Sequence, residues 1–403
     1  MSAVATPTIS SAEPDHSRLG SKQHSDGGWG LVPVQVRSAR FSSFDVGDFE
    51  AVTGRELEWK HTPIAKIQPL LDAGLDGSAL PIVTDVVSLG DAGAIVEPIG
   101  RDDDRIGSAG KPEELASANA WSSFEEALAV TITGEEPVEV TVTRAALGTA
   151  PRAAHTVIVA EKHSRGMVVL QNSGQAMLSE NVEIIVGDGA QLTVVTVQQW
   201  DDTAVHLASH FARIGRDARL RHVVVSLGGD VVRINPSAHL SSEGGDVELF
   251  GVYFAGTGQH LEQQVFVNHD APNTKSRVSY KGALQGDGAH TVWVGDVLIR
   301  PSAAGTDSYE QNRNLLLTDG TRADSVPNLE IETGDIAGAG HASASGRFDD
   351  EQLFYLQARG IEEHEARRLV VRGFLSEVVQ KIGSADLEAR LQQAIEDELK
   401  VSE

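Results

Sequence analysis

Between residues 138 and 336 the chain is written almost entirely in short Val-, Ile-, Leu- and Thr-rich runs that alternate apolar and polar residues, parted by Gly, Asp and Asn. A period of two marks strands, whose successive side chains face opposite sides of a sheet, and helical periodicity is nearly absent here. Residues 138–142 (VEVTV), 155–160 (HTVIVA), 182–186 (VEIIV), 192–197 (LTVVTV) and 222–227 (HVVVSL) are such runs. A loose repeat runs through them: Gly187 to Leu192 (GDGAQL), Gly215 to Leu220 (GRDARL) and Gly244 to Leu249 (GGDVEL), with starts 28 and 29 residues apart. Recurrence at this period belongs to stacked architectures, in which each unit buries its apolar face only against the next. The expected fold is therefore mainly β, a right-handed parallel β-helix over residues 136–346. A β-sandwich of the same strands is the competing arrangement.

The flanks read differently. Residues 1–35 are rich in Ser, Gly, Asp, His and Pro and form a tail too polar to offset its own ordering entropy, with Trp29 as a docking point. Asp15, His16 and His24 within it are solvated side chains rather than metal ligands. Residues 36–135 form an N-terminal mixed region of helical and irregular pieces, where Pro63 disfavours helix at Thr62 and residues 101–111 make an exposed loop. Residues 120–128 (AWSSFEEAL) are expected to form a short amphipathic helix capped by Ser122 or Ser123.

A C-terminal helical domain is expected over residues 347–403. Its first helix runs from the capping Asp349 to a stop at Gly360. The second, 362–382, sets Ala366, Leu369, Val370, Phe374, Val378 and Ile382 on one face, and the third, 385–399, does so with Leu387, Leu391, Ile395 and Leu399.

Composition narrows the chemistry. With no cysteine, the chain offers no disulfide, thiolate metal site, thiol nucleophile or cluster held by its own sulfur. A formal charge of −25 repels nucleic acid and anionic membrane alike, and no apolar run approaches a bilayer span. Without a basic leader and apolar h-region, the expectation is a soluble, cytoplasmic protein. Around Gly110-Lys111-Pro112 the nucleotide-binding P-loop lacks its hydroxyl and first glycine, and His364-Glu365 begins a zincin motif that ends in Arg368. Ten of the 14 histidines lie between His155 and His341, so stacked coils could bring His206, His210, His222 or His239 together, although such residues are more often simply hydrogen-bonded or exposed. A β-helical carbohydrate lyase or hydrolase is the alternative function, but Asp201, Asp202, Glu243 and Asp246 form no convergent pair in the sequence.

The segment 289–360 carries QNRNLLL at 311–317, PNLEIE at 327–332, His341, and DEQLFYLQARGI at 350–361; upstream stand HDAPNTKS at 269–276 and RELEWKHTP at 55–63. On these strings the chain resembles the SufB/SufD family of iron–sulfur cluster assembly proteins over residues 40–382. Within the family it is nearer the SufD type. Asn312 stands where the SufB pattern has cysteine and Ala342 where it has glutamate after the histidine, while the SufD-type histidine is kept as His341 and the cysteine two places earlier is Ala339.

The resemblance implies a non-catalytic scaffold that pairs with a SufB-like subunit and docks a SufC-like ABC-type ATPase, the isolated chain forming a homodimer. His341 is implied as a ligand to iron or the nascent cluster at the subunit interface, and Leu353, Phe354, Tyr355, Arg359 and Phe374 as the ATPase-docking positions. The chain alone would hold no cofactor. The complex would carry a transient iron–sulfur cluster, with reduced flavin as a further candidate. Gln311, Asn312 and Asn314 read as turn or ladder amides rather than chemical groups.

Overall fold

The computed structural model describes residues 21–23, 31–33, 40–72, 74–88, 93–347 and 350–401. It divides into two units, residues 1–41 and 42–403. In the first, Ser21–Gln23 pairs antiparallel with Leu31–Pro33. The rest of the tail, with Asp15, His16, His24 and Trp29, lies outside the described residues, as does the expected helix cap Asp349.

The second unit is built on a parallel β-solenoid of about eight turns. From Glu126–Thr133 onward, successive strands go alternately to two nine-stranded sheets, so each coil lays one strand on each face. All pairings are parallel except at the start, where Ile82–Ser88 runs against Val138–Ala145 and Gly93–Gly100 against Glu126–Thr133. One corner of six consecutive coils carries a residue with positive φ: His163, Gly189, Asp217, Gly244, Asn273 and Gly305. Each donates its backbone N–H to a carbonyl of the following coil, as His163 does to Asp188 and Asn273 to Ala304. This is why small or turn-forming residues recur at the spacing of the sequence repeat.

The repeat itself needs one correction. Leu192 pairs with Leu220, as the spacing implies, but Leu220 pairs with Val247 rather than Leu249. The third copy is displaced by two residues. A slip of two keeps every side chain on its own face, so the hydrophobic pattern conceals it.

Helical segments cover the outer faces. Trp59, Ile67, Leu70, Leu71, Ala116 and Ala120 pack on Ala153, Val205, Leu207 and Val231 of one sheet. The helices Glu363–Val379 and Ala385–Val401 lay Val371, Leu375, Val378, Leu391 and Ile395 on Val195, Val223, Val225 and Val252 of the other. Between them the interior is filled by the inward residues of both sheets. The helix expected at 120–128 lies instead at Leu115–Ser123, and Glu126–Thr133 is a strand. Ala116 to Trp121 are buried on all sides, because this helix is sandwiched rather than half-exposed and its Ala, Ser and Asn residues permit close approach. Its packing therefore leaves no amphipathic signal in the sequence.

Candidate functional site

In the strand Thr306–Leu316 the inward positions are Thr306, Ser308, Glu310, Asn312 and Asn314, all buried and all polar. Following register inward from the first coil gives Val140, Val168, Val194, His222, Leu249, Val278, Glu310 and His341. The column is mainly apolar until its last two members. Among the described residues no further coil covers His341, whose side chain is 45% exposed.

Glu310 lies directly beneath it. One carboxyl oxygen is 3.8 Å from His341 Nδ1, and neither oxygen has a side-chain hydrogen-bond partner. Burial, reinforced by the Asp296 carboxylate, pushes its pKa up to about 8, with the Asn328 backbone acting the other way. Gly295 makes the room, since a Cβ there would run into the Glu310 carboxyl and the Trp293 ring. At neutral pH Glu310 is thus largely protonated. A positive charge at His341, whether a proton or a bound cation, would favour its ionised form. The pair combines an accessible imidazole with a carboxyl held in reserve.

A second inward column is polar for most of its length: Arg144, Asn172, Gln198, Ser226, Tyr253, Gly282, Asn314 and Ser345. Arg144 donates to Glu180 at 2.6 Å, and His206 Nε2 meets the other oxygen of Glu180 at 2.9 Å. Burial opposes ionisation of Glu180, yet the Arg144 guanidinium and His206 hold its pKa well below the usual carboxylate range. Asn172 donates to Gln198 at 3.0 Å. Tyr253 leans across Gly282, where a side chain would collide with its ring, and so reaches Asn314 Oδ1 at 2.7 Å. Asn312 donates back to the Tyr253 hydroxyl at 2.7 Å and Asn314 donates to Ser345 at 3.2 Å. Asn312 and Asn314 are therefore interior ladder amides, whereas Gln311 lies on the outer side and donates to Ser279.

Among the described residues, the solenoid ends around His341 on two strands, Arg322–Ile331 and Ile336–Arg347, the last members of the two sheets. The second is Ala-, Gly- and Ser-rich and largely exposed along its length. Unpaired backbone groups on a long edge are a template for another strand. Of the helical positions singled out by sequence, Phe354 and Tyr355 are exposed at 71% and 56%, with the Arg359 guanidinium 4.4 Å from the Tyr355 ring. Leu353 is buried, and Phe374 packs on the solenoid beneath Lys281, which donates to its carbonyl at 3.2 Å.

Among the other histidines, His206 serves Glu180, His210 pairs with His222 at 2.8 Å, and His239 sits on the outside 3.3 Å from Asp270. Among the described residues no three His, Asp or Glu side chains converge as a metal-binding group. Glu243 pairs with Arg216, and Asp246 lies 3.6 Å from Arg219. Sequence reasoning missed Glu310 and the buried Arg144–Glu180 pair. For Arg144 and Glu180 the available signal was a charged residue at an inward position of an otherwise alternating run.

Residues 143–374 match the SufBD core domain of SUF system FeS cluster assembly. Over 374 residues the chain is 50% identical to an iron–sulfur cluster assembly SufBD family protein of Mycobacterium tuberculosis, covering 90% of this chain and 93% of that protein. A family protein of Mycobacterium leprae is 48% identical over 373 residues, 90% of this chain and 94% of its own length. Mycobacterium leprae has a second family protein, 31% identical over 201 residues, which are 50% of this chain and 23% of that protein.

Proposed function

Because the chain belongs to the SufBD family of iron–sulfur cluster assembly proteins, we propose that it is a SufD-type, non-catalytic scaffold subunit of the SUF system. It pairs through its open solenoid end with a SufB-like subunit and carries a SufC-like ATPase on its C-terminal helices. The observation that carries this reading is the position of His341. It stands exposed at the end of the interior column, between the two sheet edges that a second solenoid could extend. Two family members in one mycobacterium, one alike over 90% of this chain and one over half of it, fit a pair of unlike subunits.

In this reading the cluster is cargo. His341 supplies one nitrogen ligand to iron or the nascent cluster, imidazole being a good ligand for iron. The partner supplies any thiolates, since this chain has none. ATP is hydrolysed by the partner ATPase, which docks on Phe354, Tyr355 and Arg359, with Leu353 and Phe374 holding that surface in place. The complex works in the cytoplasm. No helix among the described residues is long and apolar enough to cross a membrane. Isolated, the chain pairs with itself across the same edges, and reduced flavin enters only with the full complex.

Co-expression with SufB-like and SufC-like partners tests this directly. All three are expected to elute together, with flavin absorbance in that peak when flavin is supplied; a chain that elutes alone overturns the reading. Joint replacement Phe354→Ser and Tyr355→Ser is expected to release the ATPase while leaving the scaffold pair intact. Surface changes are preferable to truncating residues 362–403, because those helices cover an apolar sheet face.

A further inference from the structure

Two histidine pairs sit in the solenoid wall, and their hydrogen bonding sets them apart. His210 Nδ1 faces His222 Nε2 at 2.8 Å, which ordinary neutral tautomers satisfy because one ring can donate to the other. The second pair lies where strands His260–His269 and His290–Ile299 begin, with His260 and His290 in register. Here Nδ1 faces Nδ1 at 3.1 Å, with the rings at 72°.

The opposite nitrogens of this second pair are already committed. His260 Nε2 is 2.9 Å from Glu262 Oε2, and His290 Nε2 is 2.7 Å from Asp324 Oδ2. Glu262 also accepts from Thr62 at 2.8 Å, Arg233 at 3.1 Å and Gln264 at 2.6 Å. Asp324 lies 2.8 Å from Arg322 Nε. Both carboxylates are acceptors in ion pairs and have no proton to give. Each neutral imidazole must therefore place its hydrogen on Nε2, which leaves two Nδ1 lone pairs on the same side, 3.1 Å apart.

We infer that His260 and His290 form a binding site for a borderline divalent transition-metal cation, such as Zn²⁺, Co²⁺ or Fe²⁺, coordinated by the two Nδ1 atoms. At the usual metal–nitrogen distance of about 2.0–2.1 Å, nitrogens 3.1 Å apart subtend about 95–100° at the metal, within the range of tetrahedral or octahedral sites. A ligating imidazole whose other N–H is held by a carboxylate is the usual outer-shell arrangement of metal sites, and here both rings have it. His290 and Asp324 are partly open to solvent, which provides an entry path and water for the remaining positions. A third imidazole, His61, reaches Asp324 from the overlying segment, with Nδ1 3.6 Å from Oδ2 and a buried Nε2 that has no hydrogen-bond partner. The site stands apart from His341 and does not depend on the assembly role.

The test uses the full chain, stripped with chelator and titrated anaerobically with Co²⁺ and Zn²⁺. Expected are one tight equivalent, visible Co²⁺ bands of nitrogen ligation, and displacement of the His260 and His290 Nδ1 resonances in ¹⁵N NMR on adding Zn²⁺. His260→Gln and His290→Gln should each weaken binding by at least about 10-fold, while His239→Gln, on the outer surface beside Asp270, leaves it unchanged. Binding that survives the double replacement, or Nδ1 resonances that Zn²⁺ does not move, overturns the site. A proton found shared between the two rings without metal uptake does so as well. If the replacements fail to fold, the resonances of the unaltered chain decide.

Discussion

The first and the last coils of the solenoid both place charged residues at inward positions and treat them in opposite ways. In the first coils, polar residues are admitted with partners: Arg144, Glu180 and His206 close on one another in full burial. In the last two coils Glu310 is buried without a side-chain hydrogen bond, and His341 above it is open to solvent. The difference is one of compensation: the paired charges of the first coils offset each other's burial, whereas the Glu310 carboxyl meets its burial by holding its proton.

The largest effect should come from breaking the buried ion pair of the first coils. Arg144→Met leaves Glu180 buried with only His206 beside it and is expected to cost about 3–5 kcal/mol in denaturant unfolding. A loss under about 1 kcal/mol would mean that the seam is not a closed ion pair. Glu310 should behave in the reverse sense. Its pKa is raised to about 8, so the folded chain keeps a proton that the unfolded chain has already lost above the ordinary carboxylate range. Stability is expected to fall as pH rises from about 5 to about 8 and then to level off, the slope reaching at most about 1.4 kcal/mol for each step of one in pH. Glu310→Gln should remove that part of the slope and raise the melting temperature at pH 8. An unchanged slope would show that Glu310 is paired in solution. The smallest effect on stability belongs to His341→Ala, expected within about 0.5 kcal/mol because the side chain is half-exposed. In the assembled complex the same replacement should lower cluster formation; an unchanged yield would separate the open end from the chemistry.

Much of this was legible in the sequence. Period-two runs and glycine-marked corners identify the strands, and apolar spacing locates the three C-terminal helices to within about three residues. The helix at Leu115–Ser123 was displaced because it is buried on all sides, and the third repeat was set two residues out because a slip of two preserves sidedness. His341 was found through a motif. Glu310 was not, since a glutamate between Tyr309 and Gln311 looks the same whether its strand faces water or the core.

By itself, then, the sequence determined the local alternation, the turn positions and the absence of thiolate chemistry, all of which depend on residues near one another in the chain. Only the tertiary structure decided which inward residues stack. Register across coils brings Glu310 beneath His341 and turns His260 toward His290, over separations of 31 and 30 residues. The physical reason is that burial and charge pairing act through space, and a solenoid makes neighbours of residues one full coil apart.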